Sequence, residues 1–313
     1  MPGSGHLAGS RSPDFPSAST NRAPASSYAR APVSTRIGDP ATHDLCDLVD
    51  FGSLDTLALS VSMAEPQYQP GCDLEIAQDD GGASIYVELT AEQRSPSLRG
   101  ATRRLAATLA AYTFGYDTKG GDCERVVAAG ADLWLEMHAF PDSDNAFPAR
   151  TTCSEMDKLA AEVAASVIGH EIQPWLLPTP SLSSLEFCHA LSAVGREDVP
   201  LLDGTSATDL SFGVRCELNS AAVRFYIQYA IADEDAPADS TPISVDGHRL
   251  FAASGNDDGY AVFTSVQQAL QDGAQYEEIE AGAIAVDAGH PPADLQTQTA
   301  QVLAEFLDTV NLH

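Results

Sequence analysis

Lysine is almost absent from this sequence, and acidic residues far outnumber basic ones. Lys119 and Lys158 are the two lysines, so arginines supply the remaining basic charge. With 45 acidic and 16 basic residues, the formal net charge is −29 at pH 7. Such a surface repels phosphate backbones and anionic headgroups, so we expect neither a nucleic-acid partner nor a membrane-docking surface. The charge is typical of an acidic protein adapted for solubility, with selective cation binding as the alternative.

Long apolar runs are also missing: no stretch reaches the roughly 20 residues needed to cross a bilayer. The first forty residues lack apolar periodicity and are rich in Ser, Pro, Ala and Gly, which predicts a disordered tether over 1–40. Residues 7–10 (LAGS) resemble a lipobox with Ser where the lipidated Cys would stand. We therefore expect contact with a membrane only through an N-terminal anchor that this sequence does not contain.

The common catalytic and ligand-binding motifs are missing as well. There is no Gly-x-Ser-x-Gly elbow, no His-Glu-x-x-His helix, no Gly-rich phosphate loop and no Cys-x-x-Cys pair. On this basis the sequence predicts no catalytic residues, no metal site and no cofactor, and a protein that is not an enzyme.

An internal repeat organises what the sequence does contain. Residues 44–49 (DLCDLV) align with 186–191 (EFCHAL) at an offset of 142. Residues 72–75 (CDLE) align with 216–219 (CELN), and 132–136 (DLWLE) with 276–280 (YEEIE), both at an offset of 144. Several matches in one order at nearly one offset indicate a duplication.

Each copy predicts a helix, a meander of about five strands and a closing helix. Apolar side chains spaced for one helix face support the closing helices; they are Met156, Leu159, Val163 and Val167 in the first copy and Val302, Leu303, Phe306, Leu307 and Val310 in the second. The sequence therefore predicts an α+β fold of two tandem related domains, each an antiparallel sheet with helices on one face. The predicted bounds are a tether over 1–40, copy one over 41–171, a Pro-rich linker over 172–183 and copy two over 184–313. The basic segment from Arg99 to Arg104, with the apolar stretch after it to Phe114, is interpreted as a helix inserted in copy one.

The six cysteines fall into three pairs of similar spacing. Cys46 and Cys72 are 26 residues apart and their repeat equivalents, Cys188 and Cys216, are 28 apart. Cys123 and Cys153 have no counterparts in copy two, where Tyr260 stands near the first position. Pairs kept or absent together favour three disulfides and an oxidising compartment, with metal binding and free thiols as alternatives.

These features resemble a known family. A Cys beside Leu45 and Leu48 in the first helix, a second Cys at the start of a strand and a Ser/Pro tether are similar to the actinobacterial lipoproteins of domain of unknown function 3558. The resemblance covers 42–170 and extends through the repeat to 184–313, and it departs from the family where Leu45 replaces the usual Pro. It implies a cell-envelope location and a small sheet-plus-helix fold, but no reaction and no catalytic residues.

One strand carries the best candidate for a binding surface. From Asp132 to Phe140, apolar residues alternate with Trp134, Glu136, His138 and Phe140. One face is predicted to be core, and the other combines the aromatic, carboxylate and imidazole groups of a binding face. The alternatives are a partly exposed sheet face without a ligand, or acid–base catalysis by Glu136 and His138.

Taken together, the sequence predicts a non-enzymatic extracytoplasmic binding or accessory module, secreted or held in the cell envelope. Its expected partner is an envelope protein or a small molecule, bound on sheet faces or in the groove between domains. The alternatives are a hydrolase or transferase with its site at the domain junction, a cytosolic protein, and a structural spacer.

Overall fold

The computed structural model describes residues 25–31, 33, 35–50, 52, 54, 59–66, 70–78, 84–93, 96–106, 108–113, 123–141, 149–169, 172–194, 200–232, 237, 239–257, 259–271, 275–287 and 291–312. The first 24 residues of the predicted tether lie outside this range.

Two seven-stranded antiparallel sheets form the protein. Sheet one contains β1 (Leu59–Pro66), β2 (Gly71–Gln78), β3 (Ser84–Glu92), β4 (Thr102–Ala106), β5 (Leu109–Thr113), β6 (Cys123–Ala128) and β7 (Trp134–Pro141). Sheet two contains β8 (Ser206–Leu210), β9 (Arg215–Asn219), β10 (Val223–Ala232), β11 (Ser240–Val245), β12 (His248–Ala253), β13 (Tyr260–Ala269) and β14 (Tyr276–Ala285).

The two sheets share one strand order. Sheet one runs β1-β2-β3-β7-β6-β5-β4, and sheet two, read from its other edge, runs β8-β9-β10-β14-β13-β12-β11. Counted from the first strand of each sheet, these are the same topology. Equivalent positions in the two sheets can therefore be assigned from the strand register.

The prediction of an α+β fold is wrong, because the chain is mostly β. Strand residues make up 46% of the structure and helical residues 26%. Each sheet has seven strands rather than the predicted five, and the predicted inserted helix after Arg99 is instead the hairpin of β4 and β5. Alanines in this segment favour a helix locally, but pairing of β5 with β6 overrides that preference.

Three α-helices have defined bounds in the described residues: α1 (Ala149–Gly169), α2 (Phe187–Ser192) and α3 (Leu295–Thr309). The other helical segments with defined bounds are 3₁₀ turns at Ala25–Tyr28, Pro40–Thr42, Leu45–Leu48, Leu182–Ser184, Pro200–Leu202 and Ser211–Gly213. In copy one, Cys46 of the predicted opening helix lies in the 3₁₀ turn Leu45–Leu48, and Gly52 and Leu54 further along are also helical. The apolar stripes predicted for the closing helices are confirmed, since all of their residues are buried.

Strand alternation explains how each core forms. In β3, buried residues alternate with partly exposed ones along the whole strand. The buried set of sheet one joins Leu135 and Met137 of β7 with Met156 and Val163 of α1 in one cluster. Sheet two forms a second cluster, in which the ring centroids of Phe187 in α2 and Phe306 in α3 are 5.2 Å apart.

The prediction of three disulfides is confirmed. Cys46 is bonded to Cys72, Cys123 to Cys153 and Cys188 to Cys216. They indicate an oxidising, extracytoplasmic environment. Among the described residues, no helix combines the length and apolarity that crossing a bilayer requires.

The described part of the predicted tether, from residue 25 onward, differs from that prediction because it makes ordered contacts with both sheets. Tyr28 is buried in the cluster of sheet two and Ile37 in that of sheet one. In the same segment, the Arg30 guanidinium donates to both carboxylate oxygens of Asp39, at 3.2 and 2.7 Å. In return, Phe212 from the chain of sheet two is buried in the cluster of sheet one. We call sheet one with α1 the first unit, and sheet two with α2 and α3 the second unit. Ile37 and Phe212 in the first cluster and Tyr28 in the second therefore connect the two units.

Candidate functional site

The open face of sheet one, opposite its core, carries the four residues singled out from the sequence. Along β7, Leu135, Met137 and Ala139 are buried on the core side. Because side chains alternate along a strand, Trp134, Glu136, His138 and Phe140 point to the other side. Phe140 is 41% exposed, so this face is open to solvent at that end.

Neighbouring strands add two glutamates on either side of His138. Glu88 of β3 and Glu124 of β6 both stand directly opposite His138 in the antiparallel register. Side chains opposite each other in such a ladder have Cβ atoms about 5 Å apart. His138 is therefore flanked by a carboxylate from each adjoining strand, and Glu136 lies two residues before it.

Three of these side chains converge. Carboxylate oxygens of Glu124 and Glu136 and an imidazole nitrogen of His138 all lie within 4.8 Å of one another. The Nε2 atom of His138 is 3.8 Å from Oε2 of Glu136. We call Glu124, Glu136 and His138 the Glu–His cluster. Its members are partly exposed, so small ligands and ions can reach it.

Charge and burial shift the proton affinities of the cluster. Contact with the Glu136 carboxylate raises the pKa of His138, burial opposes this, and the charges of Glu124 and Glu88 raise it further. Burial raises the pKa of Glu124; the charge of Glu136 acts in the same direction, whereas His138 lowers it. The arrangement concentrates negative charge around one imidazole, which suits the binding of a positive group.

The aromatic members of the predicted set lie apart from each other. The Phe140 ring stacks beside the His138 ring, with centroids 6.5 Å apart and planes 18° from parallel. Trp134, at the other end of β7, packs against Tyr112 of β5 with centroids 6.2 Å apart. The structure thus brings Glu136, His138 and Phe140 together, while Trp134 belongs to a separate aromatic pair.

A second polar pair extends the same face toward β2. The Tyr86 hydroxyl of β3 donates a hydrogen bond to Oδ2 of Asp73. Burial raises the pKa of Asp73 to about 6, the hydrogen bond from Tyr86 lowers it, and the charges of Glu88 and Glu65 raise it. Acidic groups therefore continue beyond the Glu–His cluster.

Sheet two does not repeat the cluster. Gly282 takes the place of His138, and its neighbours across the ladders are Tyr226 and Val262 in place of Glu88 and Glu124. A Cβ atom added to Gly282 would overlap the Tyr226 ring, which therefore fills the space of the missing side chain. By the same register, Ala261 rather than Tyr260 occupies the position equivalent to Cys123.

Sheet two retains one glutamate of the cluster in a different setting. Glu280, the equivalent of Glu136, accepts hydrogen bonds from the Tyr226 hydroxyl at 2.8 Å and from Nε2 of Gln228 at 3.1 Å. It is 6% exposed and belongs to a buried polar network. This network leaves the two sheets with different chemistry on equivalent strands.

The junction between the two units contains a serine–carboxylate pair. The Ser211 hydroxyl donates to Oε1 of Glu92 at 3.2 Å, and burial raises the pKa of Glu92. Ser211 is 7% exposed, and among the hydrogen bonds of the described residues none joins it to a histidine. The pair therefore lacks the accessible nucleophile and the base that acyl transfer requires.

A cleft of about 440 Å³ lies elsewhere, between the N-terminal segment and the linker after α1. Arg36 and His43 are its ionisable residues, and Nδ1 of His43 lies 2.8 Å from the backbone oxygen of Asp39. An imidazole held in this way positions the chain, and the described residues around the cleft include no group of three metal-binding donors.

The sequence prediction missed Glu88 and Glu124. Alternation in the predicted strand of residues 85–89 places Glu88 on a polar face, so part of the signal was present. The sequence does not indicate, however, that β3 and β6 pair with β7 on its two sides. Comparison with protein-family models, with curated proteins and with solved structures gives no match to this chain.

Proposed function

We propose that this protein is a non-enzymatic binding module of an extracytoplasmic compartment, and that it takes its ligand on the open face of sheet one. The observation that carries the proposal is the Glu–His cluster, which lies at the centre of an exposed sheet face beside Phe140. Three carboxylates around one imidazole suit recognition of a positively charged group. The ligand is accordingly an envelope protein or a small molecule that presents positive charge to this face.

Binding explains the arrangement better than acid–base catalysis does. Glu136 and His138 are 3.8 Å apart, and the residues opposite His138 in the two ladders are carboxylates rather than a serine, threonine or cysteine nucleophile. Their neighbours Glu88 and Glu124 are further acids, and such groups repel anionic intermediates rather than stabilise them. The cluster is built to attract cations.

For its location, we propose the cell envelope or secretion from the cell. The three disulfides support export. A cell-envelope location is also what the resemblance of the sequence to the lipoproteins of domain of unknown function 3558 implies. In this proposal an N-terminal anchor is the link to the membrane, and the acidic surface keeps nucleic acid away.

A second candidate function is a hydrolase or transferase with its site at the domain junction. The Ser211–Glu92 hydrogen bond is the observation in its favour. Burial of Ser211 opposes it, so we expect a serine-reactive phosphonate to leave the folded chain unlabelled. Labelling that Ser211→Ala abolishes would favour the enzyme instead.

Native mass spectrometry tests the binding proposal directly. The chain is purified without reductant from the envelope fraction of its own host, both as wild type and as the Glu136→Gln/His138→Gln double variant. We expect the mass of a chain with three disulfides, together with a reproducible adduct that the double variant loses. A bare wild-type chain, or an adduct equally abundant on both proteins, would contradict the proposal.

A further inference from the structure

We propose that Glu124, Glu136 and His138 bind one divalent transition-metal ion on the open face of sheet one. This inference deepens the proposed function and rests on it, because the same face is the binding surface. It names the chemistry of the ligand: a metal ion held by two carboxylates and one imidazole.

The geometry needs only a small adjustment to hold an ion. The three donor atoms lie within 4.8 Å of one another. Zinc–oxygen and zinc–nitrogen bonds of about 2.1 Å place two ligands of one tetrahedral ion about 3.4 Å apart. Glutamate side chains cover the remaining distance by changing rotamer, since all three members of the cluster are partly exposed.

Strand pairing holds the three backbone positions rigidly. Glu124 and His138 are opposite each other in the ladder of β6 and β7, and Glu136 is on the same face of β7 two residues earlier. Both strands are interior to the sheet, with β3 on one side and β5 on the other. A site built on paired strands is more precise than one built on loops.

The donor types select the class of metal. Calcium and magnesium prefer oxygen ligands, whereas imidazole nitrogen suits zinc and its first-row neighbours. Because zinc usually takes four ligands, three protein ligands leave one coordination position for water or another small ligand. The Phe140 ring stacked beside His138 gives that position an apolar flank.

Glu88 adds charge without being one of the three converging donors. It faces His138 from β3, so a third carboxylate lies beside the cluster. The resulting excess of negative charge lowers the free energy of a bound cation. Sheet two offers no such site at the equivalent position, because Tyr226, Val262 and Gly282 stand in place of Glu88, Glu124 and His138.

Titration of the full, untagged, oxidised chain with Zn²⁺, and in parallel with Co²⁺, tests the inference. Calorimetry gives the stoichiometry and affinity for Zn²⁺, and the visible absorption of Co²⁺ reports a coordination shell of protein ligands. Excess Mg²⁺ in the buffer suppresses loose binding to the acidic surface. We expect one ion per chain and a Co²⁺ spectrum distinct from that of the hydrated ion.

The variants are Glu124→Gln, Glu136→Gln and His138→Gln. Each replaces a ligand on the open face of the sheet by an uncharged side chain of similar size. We expect each to weaken Zn²⁺ binding by about tenfold or more, because a ligand is lost. His189→Gln is the matched control, since His189 and Glu186 form another His–Glu pair, 3.9 Å apart, which no third donor joins among the described residues. Its affinity should equal that of the wild type.

The outcomes separate this inference from the proposed function. No Zn²⁺ binding by the wild type, many weak sites, or affinities unchanged in all three cluster variants would overturn the metal site. An adduct that persists on the host-purified chain after metal chelation would still support a binding face without a metal. Conversely, one tight Zn²⁺ site on a chain that carries no other ligand would make the metal ion itself the ligand of this face and would contradict an envelope protein or small molecule as its ligand.

Discussion

Glu124 on β6 and His138 on β7 face each other across one antiparallel ladder, and the same two positions in sheet two are Val262 and Gly282. The two sheets therefore share one strand order but differ in the chemistry of their central strands. In sheet one the position holds polar groups that remain accessible, and in sheet two an aromatic ring fills it. The comparison assigns the candidate site to one copy only.

The first prediction concerns Gly282, where a side chain has no room. A Cβ atom there would overlap the Tyr226 ring, which also donates to Glu280. We expect Gly282→Ala to lower the free energy of unfolding by about 1–3 kcal/mol, the usual cost of overpacking. Urea denaturation measures it.

The control for this prediction is Gly255→Ala. An added Cβ at Gly255 meets no atom within 4 Å, and its φ is not positive, so we expect a change below about 0.5 kcal/mol. Equal losses for the two variants would show that the close approach of Tyr226 does not set the cost.

Glu278 on β14 gives a prediction for the pH dependence of stability. Burial, helped by the charge of Glu280, raises the pKa of Glu278 from its usual 4.5 to about 8. Below pH 4.5 the group is protonated in both the folded and the unfolded chain. Between pH 4.5 and 8 the unfolded chain loses the proton that the folded chain keeps, so this group lowers the free energy of unfolding as pH rises.

Glu278→Gln removes that titration. Relative to the wild type, the variant should gain stability with rising pH, by an amount on the order of 4 kcal/mol once the pH reaches the raised pKa. Urea denaturation of both proteins at pH 5 and pH 8 measures the gain. A stability difference that is the same at the two pH values would contradict the assignment.

The sequence carried more information about single elements than about how they assemble. Apolar spacing identified α1 and α3, because this signal is local, and the similar Cys spacing in the two copies identified the disulfides. The prediction of the fold class failed where the local helix preference of a segment disagrees with its strand pairing, as in the hairpin of β4 and β5. An alanine-rich segment favours a helix until a neighbouring strand offers hydrogen bonds.

The candidate site shows the same limit. Glu136 and His138 were predictable because strand alternation places them on one face. Glu124 reaches that face from β6, the strand before β7 in the chain, whereas Glu88 reaches it from β3, and the β3–β7 pairing joins segments distant in sequence. Such register is a property of the assembled sheet, so only the structure completes the cluster.

The interlocking of the two units leads to a prediction for Phe212. Ser211, Phe212 and Gly213 have φ values of 51°, 60° and 89°, a left-handed run that non-glycine residues disfavour. Burial of the Phe212 ring in the cluster of sheet one offsets this strain. We expect Phe212→Ala to lower the free energy of unfolding by about 3–5 kcal/mol, as for other large-to-small core changes.

Differential scanning calorimetry measures the effect, and Phe212→Leu, which keeps much of the apolar volume, is the control. In the alanine variant, the unit that contains sheet one should melt at a lower temperature, because the ring that packs into its core from the second unit is missing. An alanine variant no less stable than the leucine variant would show that the ring does not join the two units.

The last prediction concerns how α1 is fastened to β6. The disulfide Cys123–Cys153 joins them, and the buried Arg125 donates to Oδ1 of Asp157 at 2.7 Å and to the backbone oxygen of Cys153 at 2.8 Å. Changing both cysteines to serine should cost about 3–4 kcal/mol in the chain-entropy model. The cysteine pairs at separations of 26 and 28 residues should cost nearly the same as this one at 30, since the loops are alike.

Arg125 makes the Cys123–Cys153 pair different from the other two in one respect. With the disulfide gone, its hydrogen bonds still join α1 to β6, so Arg125→Met should destabilise the serine variant more than it destabilises the wild type. A double-mutant cycle in urea measures this coupling, which we expect to be about 1 kcal/mol. Strict additivity would contradict this coupling and would mean that the disulfide and the arginine stabilise the attachment of α1 to β6 independently.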